Sequence, residues 1–154
     1  MVHFIKNKIY TLRIENESIV VTGIHRFYIY QKGWIPVSEL KINDLVQFAD
    51  GTLHNIQNIK IEIKVSTVYN FEVSNNHNYY VGNNQILVHN KGGCFSAGTL
   101  IYTQDGYKNI ENIKVGDIVL SYNEITGKNE YSPVLQKMIH FVKDNIYTLF
   151  IENE

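Results

Sequence analysis

The chain has a single cysteine, only two prolines and no excess of either charge: 14 basic residues face 15 acidic ones among 154. One cysteine excludes an intrachain disulfide, so the Cys94 thiol is either free or paired between chains, and it says little about redox compartment. The even charge balance leaves no polybasic tract and no acidic tail, which argues against nucleic acid or a membrane surface as partner. No apolar run approaches the roughly 20 residues of a membrane-spanning helix, and Met1-Val2-His3-Phe4 does not begin a signal peptide. A fragment would hide the targeting of its precursor, so location stays open. What the chain does have is 44% hydrophobic residues and 19% charged ones, enough for one well-filled core.

The apolar residues alternate or cluster in β-branched runs, which predicts strands at 9–15, 19–22, 27–30, 45–48, 58–65, 68–73, 79–81, 86–88, 99–103, 118–122, 134–141 and 146–151. Turn signals such as Asp50-Gly51, Gly82-Asn83, Asp105-Gly106 and Thr126-Gly127 punctuate them. No sustained 3.6-residue period occurs, and helical turns are expected only near Val37–Leu40 and Ile110–Ile113. The fold class is therefore all-β.

Two internal repeats organise this pattern. HFIKNKIYTLRIENE at 3–17 returns as HFVKDNIYTLFIENE at 140–154, with differences only at Ile5/Val142, Asn7/Asp144, Lys8/Asn145 and Arg13/Phe150. The offset suggests two neighbouring copies of a repeated domain, each cut inside: reading Cys94 to Glu154 and continuing at Ser18 to Asn90 restores one uninterrupted unit. On this reading residues 1–90 are the C-terminal part of a domain, 91–93 a linker, and 94–154 an N-terminal part. The weaker repeat matches IENIKVGDIVLS at 110–121 with VSELKINDLVQF at 37–48 and suggests duplication within the domain about a pseudo-twofold axis. Gly116 is then matched by Asn43, the next most tolerant residue for a left-handed turn.

In that restored order the chemistry-bearing residues are Cys94 at the first position, Thr22 and His25 in VVTGIHRFYI, His77 in SNNHNYYVG, and His89-Asn90 at the last. With CFSAGTLI, DGYKNIENIKVGDIVLSY, VYNFEV and ILVHN around them, these motifs resemble the Hint superfamily of hedgehog autoprocessing domains and inteins, in particular the bacterial-intein-like type A. The resemblance implies a horseshoe-like β fold, circularly permuted or cut from a tandem array, in which the chain's own backbone is the substrate. It needs no cofactor.

The chemistry explains the residue types. Cys94 would attack the Gly93 carbonyl and move the acyl group from nitrogen to sulfur, since thiolate is a strong nucleophile even when only a small fraction is ionised. His25, with an ordinary pKa near ~6.5, would raise that fraction and return a proton to the departing nitrogen. Thr22 would orient His25 or donate to the oxyanion. Asn90 would cyclise onto its own carbonyl and release Lys91, and the resemblance assigns His77 and His89 to that step. Asn76 stands where some relatives carry an acid. Lys91 stands where splicing inteins carry Cys, Ser or Thr, so cleavage is expected at both junctions, with ligation confined to direct attack by an amine on the thioester.

Taken singly, each of these residues has a plainer reading: Cys94 as a buried small hydrophobe, His25 as a strand residue, His89-Asn90 as a turn. Their joint occurrence carries the argument. Cys94, His25 and His89 could also take up zinc incidentally, and Trp34 reads as a core anchor with Tyr79 and Tyr80 beside His77. The expected partners are the chain's own flanks and, if the duplicated segments compete for one strand position, a second copy exchanging strands in a homodimer. A catalytically silent β module is the alternative function.

Overall fold

A computed structural model of the chain describes residues 2–4, 8–63, 66–143 and 146–152, with side chains described over 8–63 and 66–139. Strands account for nearly all of its regular structure, because most segments carry alternating apolar residues with nothing to favour a helix. In chain order they are β1 (Val2–Phe4), β2 (Lys8–Ile14), β3 (Glu17–Thr22), β4 (Arg26–Ile29), β5 (Gly33–Pro36), β6 (Leu45–Gln47), β7 (Leu53–Ile63), β8 (Thr67–Val73), β9 (Asn78–Val81), β10 (Ile86–His89), β11 (Phe95–Ser96), β12 (Leu100–Thr103), β13 (Gly106–Asn109), β14 (Ile118–Asn123), β15 (Lys128–Lys143) and β16 (Ile146–Glu152). The pairings among the described residues are antiparallel and join the strands into one hydrogen-bonded sheet, with β5 and β13 branching from β4 and β12. Two short 3₁₀ turns, Val37–Glu39 and Ile110–Asn112, are the only helical elements among the described residues, where the sequence places them.

The inward residues meet in one core that includes Leu12, Ile14, Val21, Phe27, Ile56, Phe71, Tyr79, Val88, Phe95 and Ile101. Each such side chain contributes about 1.5–3 kcal/mol by leaving water. A small satellite cluster of Ile9, Val68 and Cys94, with Val20 against it, lies beside that core.

The weaker repeat is present in its turn hydrogen bonds, although the lysines that pair with the two aspartates come from non-equivalent positions. Asp44 accepts the Lys41 N–H at 2.8 Å and pairs with Lys32, while Asp117 accepts the Lys114 N–H at 2.9 Å and pairs with Lys108. Asn43 and Gly116 both have positive φ, 76° and 92°, and their N–H groups reach the Ile56 and Val134 carbonyls at 2.8 and 2.9 Å. The Val37 N–H binds the His25 carbonyl at 2.8 Å, and its counterpart, the Ile110 N–H, binds the Thr99 carbonyl at 2.8 Å.

The near-verbatim repeat is split between two settings. β2 lies inside the sheet between β3 and β7, whereas β16 pairs with β15 and with the three residues of β1. Within β2, Ile9, Tyr10, Leu12 and Ile14 are buried and are identical in the two copies, while Lys8 and Arg13, which differ, are exposed. Variation between the copies thus falls where packing does not constrain it. Of the differing positions, Ile5, Asn7, Asp144 and Asn145 lie outside the described residues.

Candidate functional site

Three residues, Lys91-Gly92-Gly93, join Asn90 to Cys94, the two positions to which the resemblance assigns the chemistry. β10 pairs antiparallel with β9 and delivers Asn90 at its end; β11 pairs with both β3 and β8, so Cys94 emerges beside the end of β3. Between them Lys91 and Gly92 are exposed and Gly93 is buried, with both glycines left-handed at φ 71° and 70°.

At the second junction, the Cys94 N–H donates to Thr22 Oγ1 at 2.8 Å, and the Thr22 N–H donates to the Cys94 carbonyl at 2.9 Å. Thr22 thus holds the amide nitrogen of the Gly93–Cys94 bond, and its carbonyl also accepts the His25 N–H at 3.4 Å. Cys94 is buried among apolar neighbours, and that desolvation pushes its thiol pKa up. His25 is fully buried, its ring tilted against Phe95 at 4.2 Å, and burial pulls its pKa down to about 3. The carbonyls of His89 and Gly93 favour the protonated ring and partly oppose this, yet neither ring nitrogen makes a hydrogen bond of regular geometry. The expectation of an ordinary imidazole near pH 6.5 is corrected: with little water around either group, the resting pair is neutral thiol and neutral imidazole. A neutral His25 can take the thiol proton and, once charged, can return it to the departing nitrogen.

At the first junction, Asn90 is buried and its side-chain nitrogen has no partner. Its carbonyl accepts from Asn70 Nδ2 at 2.7 Å, and the following N–H, that of Lys91, donates to His89 Nδ1 at 3.0 Å. The Asn90–Lys91 amide is therefore held at both its oxygen and its nitrogen. Because Nδ1 of His89 accepts, the neutral ring carries its proton on Nε2. Burial lowers the pKa of His89, helped by the charges of His77, Arg26 and Lys91. His77 is exposed on a left-handed backbone with φ 56°, and it is its main-chain carbonyl that accepts the Asn90 N–H at 2.9 Å. Its side chain lines an open cleft of about 490 Å³ together with Glu72, His89, Asn90 and Met138.

Other expectations need correction. Among the described residues no three His, Cys, Asp or Glu side chains gather as metal ligands, so the zinc set Cys94, His25 and His89 is not assembled. Trp34 is half-buried rather than a core anchor; it packs edge-on against His89 at 5.0 Å and donates to Glu124. Tyr79 stacks on Phe71 at 4.0 Å and Tyr80 donates to Asn129, so their partners are not His77. Asn76 donates to Ser121 and Glu130.

The residue that sequence reasoning passed over is Asn70. Its signal was a polar residue inside the strand VYNFEV, next to the buried Phe71. A buried amide costs free energy unless its hydrogen bonds are made, so such a residue asks for partners.

His25 also sets an acid limit on stability. Its pKa falls from 6.5 in the unfolded chain to about 3 when folded. The unfolded state therefore binds the extra proton between those values, and stability present above pH 6.5 is lost as pH falls toward 3. The urea midpoint is expected to drop between pH 7 and pH 5, this residue alone contributing about 2 kcal/mol. His25→Asn should flatten that dependence; an equally steep fall in the variant would remove His25 as its source.

Comparison with known proteins agrees with this architecture. A solved bacterial intein-like domain from Clostridium thermocellum is similar at 33% sequence identity with a TM-score of 0.51, the match covering 58% of this chain and 66% of that one. The chain thus spans just under two thirds of that neighbour's length. No curated protein matches. The family model for the pretoxin HINT domain matches residues 4–91 and 100–153, nearly the whole sequence, and the chain belongs to that family.

Proposed function

We propose that the chain cuts its own backbone on both sides of Lys91-Gly92-Gly93. HINT-family membership and likeness to an intein-like domain support self-processing as the general activity. The observation that carries the specific reading is the unpaired, buried Asn90 side-chain nitrogen beside an amide already held at both ends by Asn70 and His89. Holding the target amide at both ends, with the nucleophile buried beside it, supplies part of what slow asparagine cyclisation lacks in solution.

In the cyclisation, Asn90 Nδ2 bonds to the Asn90 carbonyl carbon and the carbon–nitrogen bond to Lys91 breaks. One proton passes from Nδ2 to the Lys91 nitrogen, leaving a succinimide and a free amine. His89, whose Nδ1 faces the departing nitrogen, is the group placed to carry that proton. In the acyl shift, Cys94 Sγ bonds to the Gly93 carbonyl carbon and the bond to the Cys94 nitrogen breaks; His25 takes the thiol proton and returns one to that nitrogen. Thr22 Oγ1 keeps the nitrogen in place meanwhile. Lys91 offers no hydroxyl or thiol to receive the acyl group, so cleavage prevails over splicing.

Mass spectrometry of the purified chain with and without dithiothreitol tests this. Fragments ending at Asn90, and thiol-dependent fragments beginning at Cys94, are expected. Cys94→Ala should abolish only the thiol-dependent cut, and Asn90→Ala only the other. A chain that stays intact across pH 6 to 9 would support the silent β module instead, and simultaneous loss of both cuts in Cys94→Ala would break the two-step assignment.

A further inference from the structure

We propose that Tyr79 is a positioning residue for the Asn90 step, acting through Asn70; this rests on the reading of Asn90 as nucleophile. The Tyr79 hydroxyl donates to Asn70 Oδ1 at 2.8 Å, and the Phe71 N–H donates to the same oxygen at 2.9 Å. With Oδ1 engaged by two donors, the amide has one orientation left, and Nδ2 is turned onto the Asn90 carbonyl. The inverted amide would set Nδ2 against the Phe71 N–H and face two oxygens toward each other. Donation into Oδ1 also draws electron density away from Nδ2 and strengthens its own hydrogen bond, as linked bonds do in a dry interior.

Nothing in the sequence motif demands that hydroxyl for packing. The Tyr79 ring is buried face to face with Phe71 and edge-on to His25 at 6.4 Å and Phe95 at 6.3 Å. Phenylalanine keeps all of those ring contacts and removes only the donor. Burial also raises the phenol pKa, keeping the proton on oxygen throughout the working range.

The test is Tyr79→Phe, timed at both junctions by mass spectrometry on the full chain. Cleavage after Asn90 is expected to slow by about three- to tenfold, the size one neutral hydrogen bond carries, while thiol-induced cleavage before Cys94 keeps its rate. A general loosening of the fold would slow both. In an Asn70→Ala background, Tyr79→Phe should add nothing, because the group it positions is gone. Wild-type speed after Asn90, equal slowing at both junctions, or a full further loss in the double variant would each overturn the role of Tyr79. If the wild-type chain is never cut after Asn90, the proposed function falls and takes this inference with it; if it is cut and Tyr79→Phe matches it, only the inference falls.

Discussion

Replacing Gly93 by alanine is expected to slow thiol-induced cleavage before Cys94 by about 10²-fold or more, while Gly92→Ala slows it far less. Both glycines have left-handed backbones, so each substitution carries the same cost of about 1–2 kcal/mol for placing a β-carbon at positive φ. Their surroundings differ. A β-carbon on Gly92 would meet nothing nearer than Ile24 Cδ1 at 3.8 Å, whereas one on Gly93 would lie 2.5 Å from the His25 nitrogen and 2.6 Å from its Cα. Those are main-chain atoms, tied by the bond from Val37 N–H to the His25 carbonyl, and they have little room to retreat. The Gly93–Cys94 turn must then move away from His25, and with it the carbonyl that Cys94 would attack in the proposed acyl shift. The comparison is timed by mass spectrometry in dithiothreitol, with thermal melts to confirm folding. Near-wild-type cleavage in Gly93→Ala, or equal damage in Gly92→Ala, would contradict this account of the turn.

Asn70→Ala is expected to slow cleavage after Asn90 by about 10²–10³-fold, the usual loss when a donor to a developing oxyanion is removed, and to leave the Cys94 junction working. Asn70→Asp separates hydrogen bonding from shape. A protonated carboxyl in this buried place can donate to the Asn90 carbonyl, whereas an ionised one presents only negative oxygens to it. Cleavage by Asn70→Asp should therefore be fastest in acid and fall as pH rises through the pKa of that carboxyl. The wild-type amide cannot ionise and contributes no such limb. Unchanged cleavage in Asn70→Ala, or an Asn70→Asp profile parallel to the wild type, would place the oxyanion donor elsewhere.

Strand positions were readable from sequence where the chain alternates strongly, as in Lys8–Ile14 and Ile118–Asn123, and both 3₁₀ turns fell at the two places where helical turns were expected. Unread were β1, β5, β11 and β13, whose few residues carry no periodicity of their own and are strands because a neighbour pairs with them. The polar first half of β15, Lys128 to Pro133, belongs to the same class: its partner β14 holds it extended. Side-chain identity marked Cys94, His25, His89 and Asn90 as chemically capable. It could not give their states, because the neutrality of His25 comes from burial by the whole sheet, and the choice of Thr22 Oγ1 as acceptor comes from β11 docking on β3. Asn70 escaped for the same reason, since its donor role depends on a carbonyl 20 residues away.

The matching turn hydrogen bonds of the two halves give the site an internal blank. Where one half has His25, the other has Thr99, and each supplies a carbonyl to the first N–H of its short helix, Val37 or Ile110. The scaffold asks that position for a backbone oxygen and is content with threonine. An imidazole with two unpaired nitrogens in the dry interior is thus foreign to the architecture's own needs, a liability kept in one half and absent from its twin.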